Sequence, residues 1–137
     1  MHNYVSGRRD FLLRMTALGA AGLPVALSAF RARDAKSSYD PAARLDVTVS
    51  EVEFRRTAAG RMLMARIYQP AGAGPFPTVL DLHGGAWNGK DRKAEEPMDR
   101  ALAASGVLVV AIDMTLAPEA PYPACVQDAN YGVRWLK

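Results

Sequence analysis

A short apolar strand that runs directly into a His-Gly-Gly turn constrains this chain more than any other feature. The strand pattern covers Thr78–Leu82, and His83, Gly84 and Gly85 follow it without a spacer. Two glycines without Cβ atoms allow unusual backbone dihedral angles and let another group approach the main chain closely. An oxyanion hole built from peptide N–H groups needs both properties. The turn therefore predicts a site at the end of this strand.

Strand and helix patterns alternate along residues 45–137. They predict a half-exposed strand at Leu45–Arg56, with an irregularity near Glu51, and a second strand at Arg61–Gln69 that forms a hairpin with it. After the strand at Thr78–Leu82 come an amphipathic helix at Glu95–Ser105, a β-branched central strand at Val107–Ile112 and a last helix at Ala124–Lys137. This order predicts an α/β fold, in which a β-hairpin and a β-α-β-α unit build a mixed sheet covered by helices.

The periodicity of each helix also predicts which side chains face the sheet. In the first helix these are Met98, Ala101, Leu102 and Ser105, and in the last helix they are Val126, Ala129, Val133 and Leu136. Asp128 and Asn130 are expected on the polar side of the last helix.

Composition and charge exclude several classes of protein. The 137 residues are 50% hydrophobic and 23% charged, which is typical of one globular domain. The net charge of +3 comes from residues 1–36, which hold six basic and two acidic groups, whereas the other residues hold eleven basic and twelve acidic groups. A nucleic-acid partner is therefore not expected. The one cysteine, Cys125, excludes an internal disulfide and is expected to be a small buried side chain at a helix start.

Residues 1–36 have the pattern of a leader. The segment Gly7–Leu13 is similar to the twin-arginine export signal, with the pair at Arg8 and Arg9, and an apolar run from Met15 to Phe30 follows it. That run is too short to give a stable membrane span. We therefore expect a leader at 1–36, a linker at 37–44, the twin-arginine export machinery as a partner, and a periplasmic or secreted protein. A basic amphipathic helix and a cytoplasmic location are the alternatives if the leader is not functional.

Two motifs together resemble a known family. His83–Trp87 resembles the His-Gly-Gly loop of esterases and lipases of the α/β-hydrolase fold, and Ala111–Ala124 resembles the Asp-Tyr-Arg-Leu-Ala-Pro-Glu signature of the hormone-sensitive-lipase-like and acetylesterase-like branch. Ala86 replaces the third glycine of the commoner loop, and Met114 and Thr115 replace Tyr-Arg. The resemblance covers residues 45–137 and implies the amino-terminal part of an α/β-hydrolase domain.

The resemblance also assigns roles to residues of the two motifs. It implies that the amides of Gly85 and Ala86 are the oxyanion donors, and that the loop around them is shaped by His83, Gly84 and Trp87. Asp113 and Glu119 are interpreted as loop-ordering acceptors in preference to an acid/base couple. For His83, a local hydrogen bond at the strand end is favoured over proton transfer. No metal and no cofactor are expected.

The triad of a serine hydrolase is missing from these 137 residues. None of the six serines has glycine at both −2 and +2, and the histidines are His2 and His83. The chain is therefore expected to be the amino-terminal part of a serine ester hydrolase, truncated before the nucleophile strand and inactive alone. A small-molecule ester would be the substrate of the full-length protein. An exported binding module without catalysis and a fragment of an amide-cleaving hydrolase, arylformamidase-like or peptidase-like, remain as alternatives.

Overall fold

The structure is a computed structural model that describes residues 39–137. Its elements are β1 (Val47–Arg56), β2 (Met62–Pro70), β3 (Thr78–Leu82), α1 (Glu96–Ala104), β4 (Leu108–Ile112) and α2 (Ala124–Leu136). The predicted order of strands and helices is confirmed, and each boundary lies within two residues of its predicted place. The predicted leader lies outside the described residues.

The four strands form one mixed sheet in the order β1-β2-β4-β3. β2 pairs antiparallel with both β1 and β4, whereas β3 runs parallel to β4, from Thr78 opposite Leu108 to Leu82 opposite Ile112. The irregularity in β1 lies between Glu53 and Arg55, slightly later than predicted. Within residues 39–137, β3 has a strand partner on one side only, so it forms an edge of the sheet.

Helix α1 packs on one face of the sheet. The buried cluster on this face joins Ala103 of α1 to Tyr68 of β2 and to alternate residues of β4, Val109 and Ala111. The segment before β1 lies beside the end of this helix, since the Asp40 amide donates to the Ser105 carbonyl over 2.9 Å.

Helix α2 packs on the opposite face, because its partners include the residues of β4 that alternate with those above. Phe54 is fully buried, and its ring centroid lies 6.2 Å from those of both Tyr131 and Trp135. Gly132 lets the helix approach closely: a Cβ there would lie 3.1 Å from Ile112 Cδ1 and 3.2 Å from a methyl of Leu80. A larger residue at this position would push the helix away from the sheet.

The predicted inner faces of both helices were partly wrong. In α1, Met98 is 49% exposed whereas Asp99 is fully buried, and in α2 the two valines at 126 and 133 are more than 40% exposed whereas Asp128 is buried. Burial of Asp128 is compensated, because Arg55 forms an ion pair with it at 2.8 Å and the Thr115 amide donates to it at 2.7 Å. Neither helix within the described part of the chain is long and apolar enough to cross a bilayer.

Candidate functional site

The loop after β3 has an unusual backbone. Gly85, Ala86 and Trp87 follow one another with φ angles of +107°, +49° and +65°. Positive φ is uncommon for residues that carry a Cβ, and a run of three is found where the surrounding structure imposes it. Glycine is required at 85, since a Cβ there would collide with the backbone carbonyl of Gly89. The loop is therefore held in a conformation that local sequence preference alone does not favour.

This conformation leaves two neighbouring amides free. No hydrogen bond among residues 39–137 uses the N–H of Gly85 or Ala86 as its donor. The loop is fixed by other groups: the Asn88 amide donates to the Gly85 carbonyl at 3.1 Å, and the Ala117 amide donates to the Trp87 carbonyl at 2.7 Å. Fixed N–H donors without a partner are suited to stabilising a developing negative charge.

The loop forms one wall of a cavity of about 340 Å³. Leu82, Met114 and Leu116 contribute to its apolar lining, and Trp87, 65% exposed, stands at its wall. Cys125, the second residue of α2, also lines the cavity. It lies at a helix start as predicted, but its side chain is only half-buried, so the expectation of a buried side chain was wrong. The cavity is suited to an uncharged, largely apolar group.

His83 lies at the end of β3 and is only 5% exposed. Its Nδ1 lies 2.8 Å from the Gly84 carbonyl oxygen. Because a carbonyl oxygen only accepts, Nδ1 carries the proton of this hydrogen bond. The other ring nitrogen, Nε2, is buried and has no hydrogen-bond partner among the described residues.

Asp113 joins the second motif to the loop. Its side chain is buried and accepts from the Met64 amide at 3.1 Å, from the Arg92 amide at 3.2 Å and from the Arg92 guanidinium at 3.0 Å. Arg92 thus supplies a guanidinium to this aspartate in a chain where Met114 and Thr115 replace the Tyr-Arg of the motif. Sequence reasoning missed Arg92, because its contact with Asp113 spans 21 residues and no local pattern indicates it.

Arg92 also belongs to a network of ion pairs. Glu51 of β1 accepts from Arg92 and from Arg66, each at 2.7 Å, and Arg66 continues to Glu96 at 3.2 Å. The hydrogen bond from Arg92, together with that from Arg66, lowers the pKa of Glu51 to about 2. The network therefore ties β1 and β2 to the segment that links the loop after β3 with α1.

Glu119 lies in a separate ion pair. Arg61 Nε donates to it at 2.7 Å, and the same guanidinium donates to the Met114 carbonyl at 3.1 Å. The hydrogen bond from Arg61 lowers the pKa of Glu119. Asp113 and Glu119 therefore bind different arginines and fix different parts of the second motif. Among residues 39–137, no group of three histidine, cysteine or acidic side chains is placed to hold a metal ion.

The chain is similar to known proteins in its sequence and in its fold. The model of the BD-FAE family matches residues 66–137. Carboxylic ester hydrolase LipN of Mycobacterium tuberculosis is 32% identical over 96 residues, which are 69% of this chain and 25% of LipN. Hormone-sensitive lipase of Bos taurus is 30% identical over 83 residues, 60% of this chain and 11% of the lipase. A hyperthermophilic esterase from Pyrobaculum calidifontis superposes with a TM-score of 0.58 at 32% identity, over 65% of this chain and 28% of that one.

These relatives show that the chain is similar to the α/β-hydrolase esterases of the hormone-sensitive-lipase-like group. The predicted resemblance and the predicted fold class are therefore confirmed. The chain belongs to the BD-FAE family. It spans a quarter or less of the length of the two curated relatives described above. Both are named as an ester hydrolase or a lipase, which gives no support to a binding module or an amide-cleaving enzyme.

Proposed function

We propose that this chain supplies the oxyanion hole of a serine carboxylic-ester hydrolase and forms the amino-terminal part of its domain. The observation that carries the proposal is the pair of free amides at Gly85 and Ala86, held beside an apolar cavity. In such a reaction a serine attacks the ester carbonyl carbon, and a histidine accepts the serine proton and passes it to the leaving alcohol. The two amides would stabilise the negative carbonyl oxygen of the tetrahedral intermediate.

The serine, its histidine and the acid of the triad come from residues outside these 137 in this proposal. Two observations support that division. No serine of the sequence lies in a Gly-x-Ser-x-Gly elbow, and the matched segments of the relatives are a quarter or less of their length. The chain alone is then expected to show no turnover of a p-nitrophenyl ester above the uncatalysed background rate.

A hybrid enzyme tests the proposal. Residues 45–137 of this chain would replace the matched segment of Mycobacterium tuberculosis LipN, which retains its own downstream residues. We expect the hybrid to hydrolyse p-nitrophenyl butyrate with saturation kinetics, and to lose turnover when the serine of the downstream elbow is replaced by alanine. A folded hybrid that retains no activity, beside an active parent, would refute the proposed role of this segment.

Export by the twin-arginine pathway is a second part of the proposal, supported by Arg8, Arg9 and the apolar run that follows them. Residues 1–40 would be fused to a reporter that is active only outside the cytoplasm. We expect replacement of both arginines by lysine to abolish export from a bacterium that has this pathway. Unchanged export would show that the arginine pair is incidental.

A further inference from the structure

The loop after β3 is held by two neighbouring segments, one that directly follows the loop and one that follows β4. In the first segment, the Gly89 carbonyl packs against Gly85, because a Cβ at residue 85 would collide with it. In the second segment, the Ala117 amide donates to the Trp87 carbonyl at 2.7 Å. The position of the two free amides of the loop therefore depends on where both segments lie.

An ion pair joins the two segments, since Arg92 belongs to the first and Asp113 to the second. The Arg92 guanidinium donates to both carboxylate oxygens of Asp113, at 3.3 and 3.0 Å, and the Arg92 amide adds a hydrogen bond of 3.2 Å. Asp113 is itself fixed to β2, because its carboxylate accepts from the Met64 amide and its amide donates to the Met64 carbonyl. Charged contacts through several atoms are stronger than single neutral hydrogen bonds. Arg92 therefore ties the segment after the loop to a fixed point at the end of β4.

Glu51 holds the Arg92 guanidinium in this orientation. Its Oε2 accepts from Arg92 Nη2 at 2.7 Å, whereas Nη1 binds Asp113, so the two ends of the guanidinium bind different carboxylates. The described residues that line the cavity do not include Arg92. An effect of this side chain on an ester in the cavity must therefore pass through the loop.

We propose that Arg92 is a positioning residue for the oxyanion donors at Gly85 and Ala86. It holds the segment after the loop against Asp113, and in this way keeps the two amides directed at the carbonyl oxygen of the ester. The inference rests on the oxyanion role proposed above. Loss of the contact displaces donors that act in the tetrahedral intermediate, whereas the apolar cavity keeps its lining. The loss is therefore expected in kcat and not in KM.

Replacement of Arg92 by alanine tests the assignment, with Arg66→Ala as the matched control. The two arginine side chains are 16% and 17% exposed, and each donates to Glu51 at 2.7 Å. Of the two, Arg92 alone binds Asp113 within the described part of the chain. The control therefore removes an equally buried arginine from the same network and leaves the contact with Asp113 in place.

Amide hydrogen exchange of the full chain, followed by mass spectrometry at low micromolar protein, measures whether the loop stays fixed. The amides of Asn88 and Ala117 report on it, because they donate to backbone carbonyls of the loop. We expect Arg92→Ala to raise their exchange rates at least about 10-fold relative to the amides of β4, and Arg66→Ala to leave this ratio within about twofold. If Arg92→Ala does not fold, Arg92→Lys replaces it, since an ammonium cannot reproduce the planar fork that binds both carboxylates.

The hybrid enzyme relates this effect to the reaction. We expect Arg92→Ala to lower kcat for p-nitrophenyl butyrate at least about 10-fold with KM within about twofold, and Arg66→Ala to leave both within about twofold. Free guanidinium ions at a non-denaturing concentration should restore part of the kcat lost in Arg92→Ala, whereas sodium chloride at equal ionic strength should not. Equal kcat values, or equal exchange ratios, for the two variants would overturn the assignment. An inactive hybrid without either substitution would instead refute the proposed function, and exchange in the full chain would still test the role assigned to Arg92.

Discussion

Asp99 allows a quantitative test of the packing between α1 and the sheet. Its side chain is fully buried, and neither carboxylate oxygen has a hydrogen-bond partner among the described residues. Asp81 of β3 and Glu95 and Glu96 at the start of α1 place further negative charge around it. Burial, reinforced by these carboxylates, raises the pKa of Asp99 from 3.8 to about 6. The folded chain therefore favours the neutral acid at this position.

The sign of the resulting pH dependence follows from proton binding. The folded state keeps the Asp99 proton to a higher pH than the unfolded chain, so the free energy of unfolding falls as the pH rises from about 4 to about 6 and changes little above that. The difference between a pKa of 3.8 and one of about 6 corresponds to about 3 kcal/mol. The variant Asp99→Asn keeps the shape of the side chain and cannot ionise. We expect it to be more stable than the native chain by up to about 3 kcal/mol at pH 7 and by little at pH 4.

Urea unfolding followed by tryptophan fluorescence, at low micromolar protein and at pH 4, 5, 6 and 7, measures this difference. Other groups titrate over the same range, so the informative quantity is the native chain minus the variant at each pH. Asp46→Asn is the matched control, because Asp46 is exposed and the same substitution there changes no buried carboxyl. A difference between native chain and Asp99→Asn that is equal at pH 4 and pH 7 would show that the buried carboxyl carries no ionisation cost.

Three further substitutions test other parts of the structure. Asp128→Ala should lower the free energy of unfolding by about 3 kcal/mol in urea titrations, because it leaves Arg55 without its buried partner. The control Asn130→Ala, at an exposed position of the same helix, should change it by less than about 0.5 kcal/mol. Equal effects of the two substitutions would contradict the buried ion pair. Glu51→Gln should lower the free energy of unfolding by about 1–2 kcal/mol at pH 7. Because the pKa of Glu51 is about 2 in the folded chain, this difference from the native chain should shrink as the pH falls from 4.5 toward 2. A difference that persists at pH 2 would contradict the charge network. One edge of β3 has no strand partner among residues 39–137, so we expect the chain to self-associate through this edge. Val79→Lys, on β3, should then reduce the association measured by sedimentation velocity, and unchanged association would show that this edge is not the contact.

The sequence predicted the elements of the fold well and the burial of individual helix residues poorly. Strand patterns such as Val107–Ile112 are unambiguous, because a continuous apolar run rich in β-branched residues suits a strand covered on both faces. The faces of the helices were misjudged because apolar residues were assumed to face the sheet. In α2, Gly132 lets the helix approach Ile112 and Leu80 closely, and Arg55 forms an ion pair with Asp128, so the face with Gly132 and Asp128 is turned toward the sheet. The partner residues in both contacts are distant in the sequence from α2.

The candidate site shows the same limit. The His-Gly-Gly motif located the loop, because the strand end and the glycines are adjacent in the sequence. The guanidinium that binds Asp113 could not be located, since Arg92 reaches it from a different segment. The position of Cys125 in the cavity wall was missed for a related reason: it depends on where α2 begins relative to the end of β3.

The central claim is that the backbone amides of the loop after β3 stabilise an ester-derived oxyanion. Turnover of p-nitrophenyl butyrate by the hybrid enzyme with Gly85→Ala tests it most directly, because a Cβ at 85 would collide with the Gly89 carbonyl and displace both amides. Gly89→Ala is the control, since a Cβ at 89 meets no atom within 4 Å. We expect Gly85→Ala to lower kcat by about 100-fold or more, the cost of losing an oxyanion donor, and Gly89→Ala to leave it within about twofold. Equal kcat values for the two folded variants would contradict the claim.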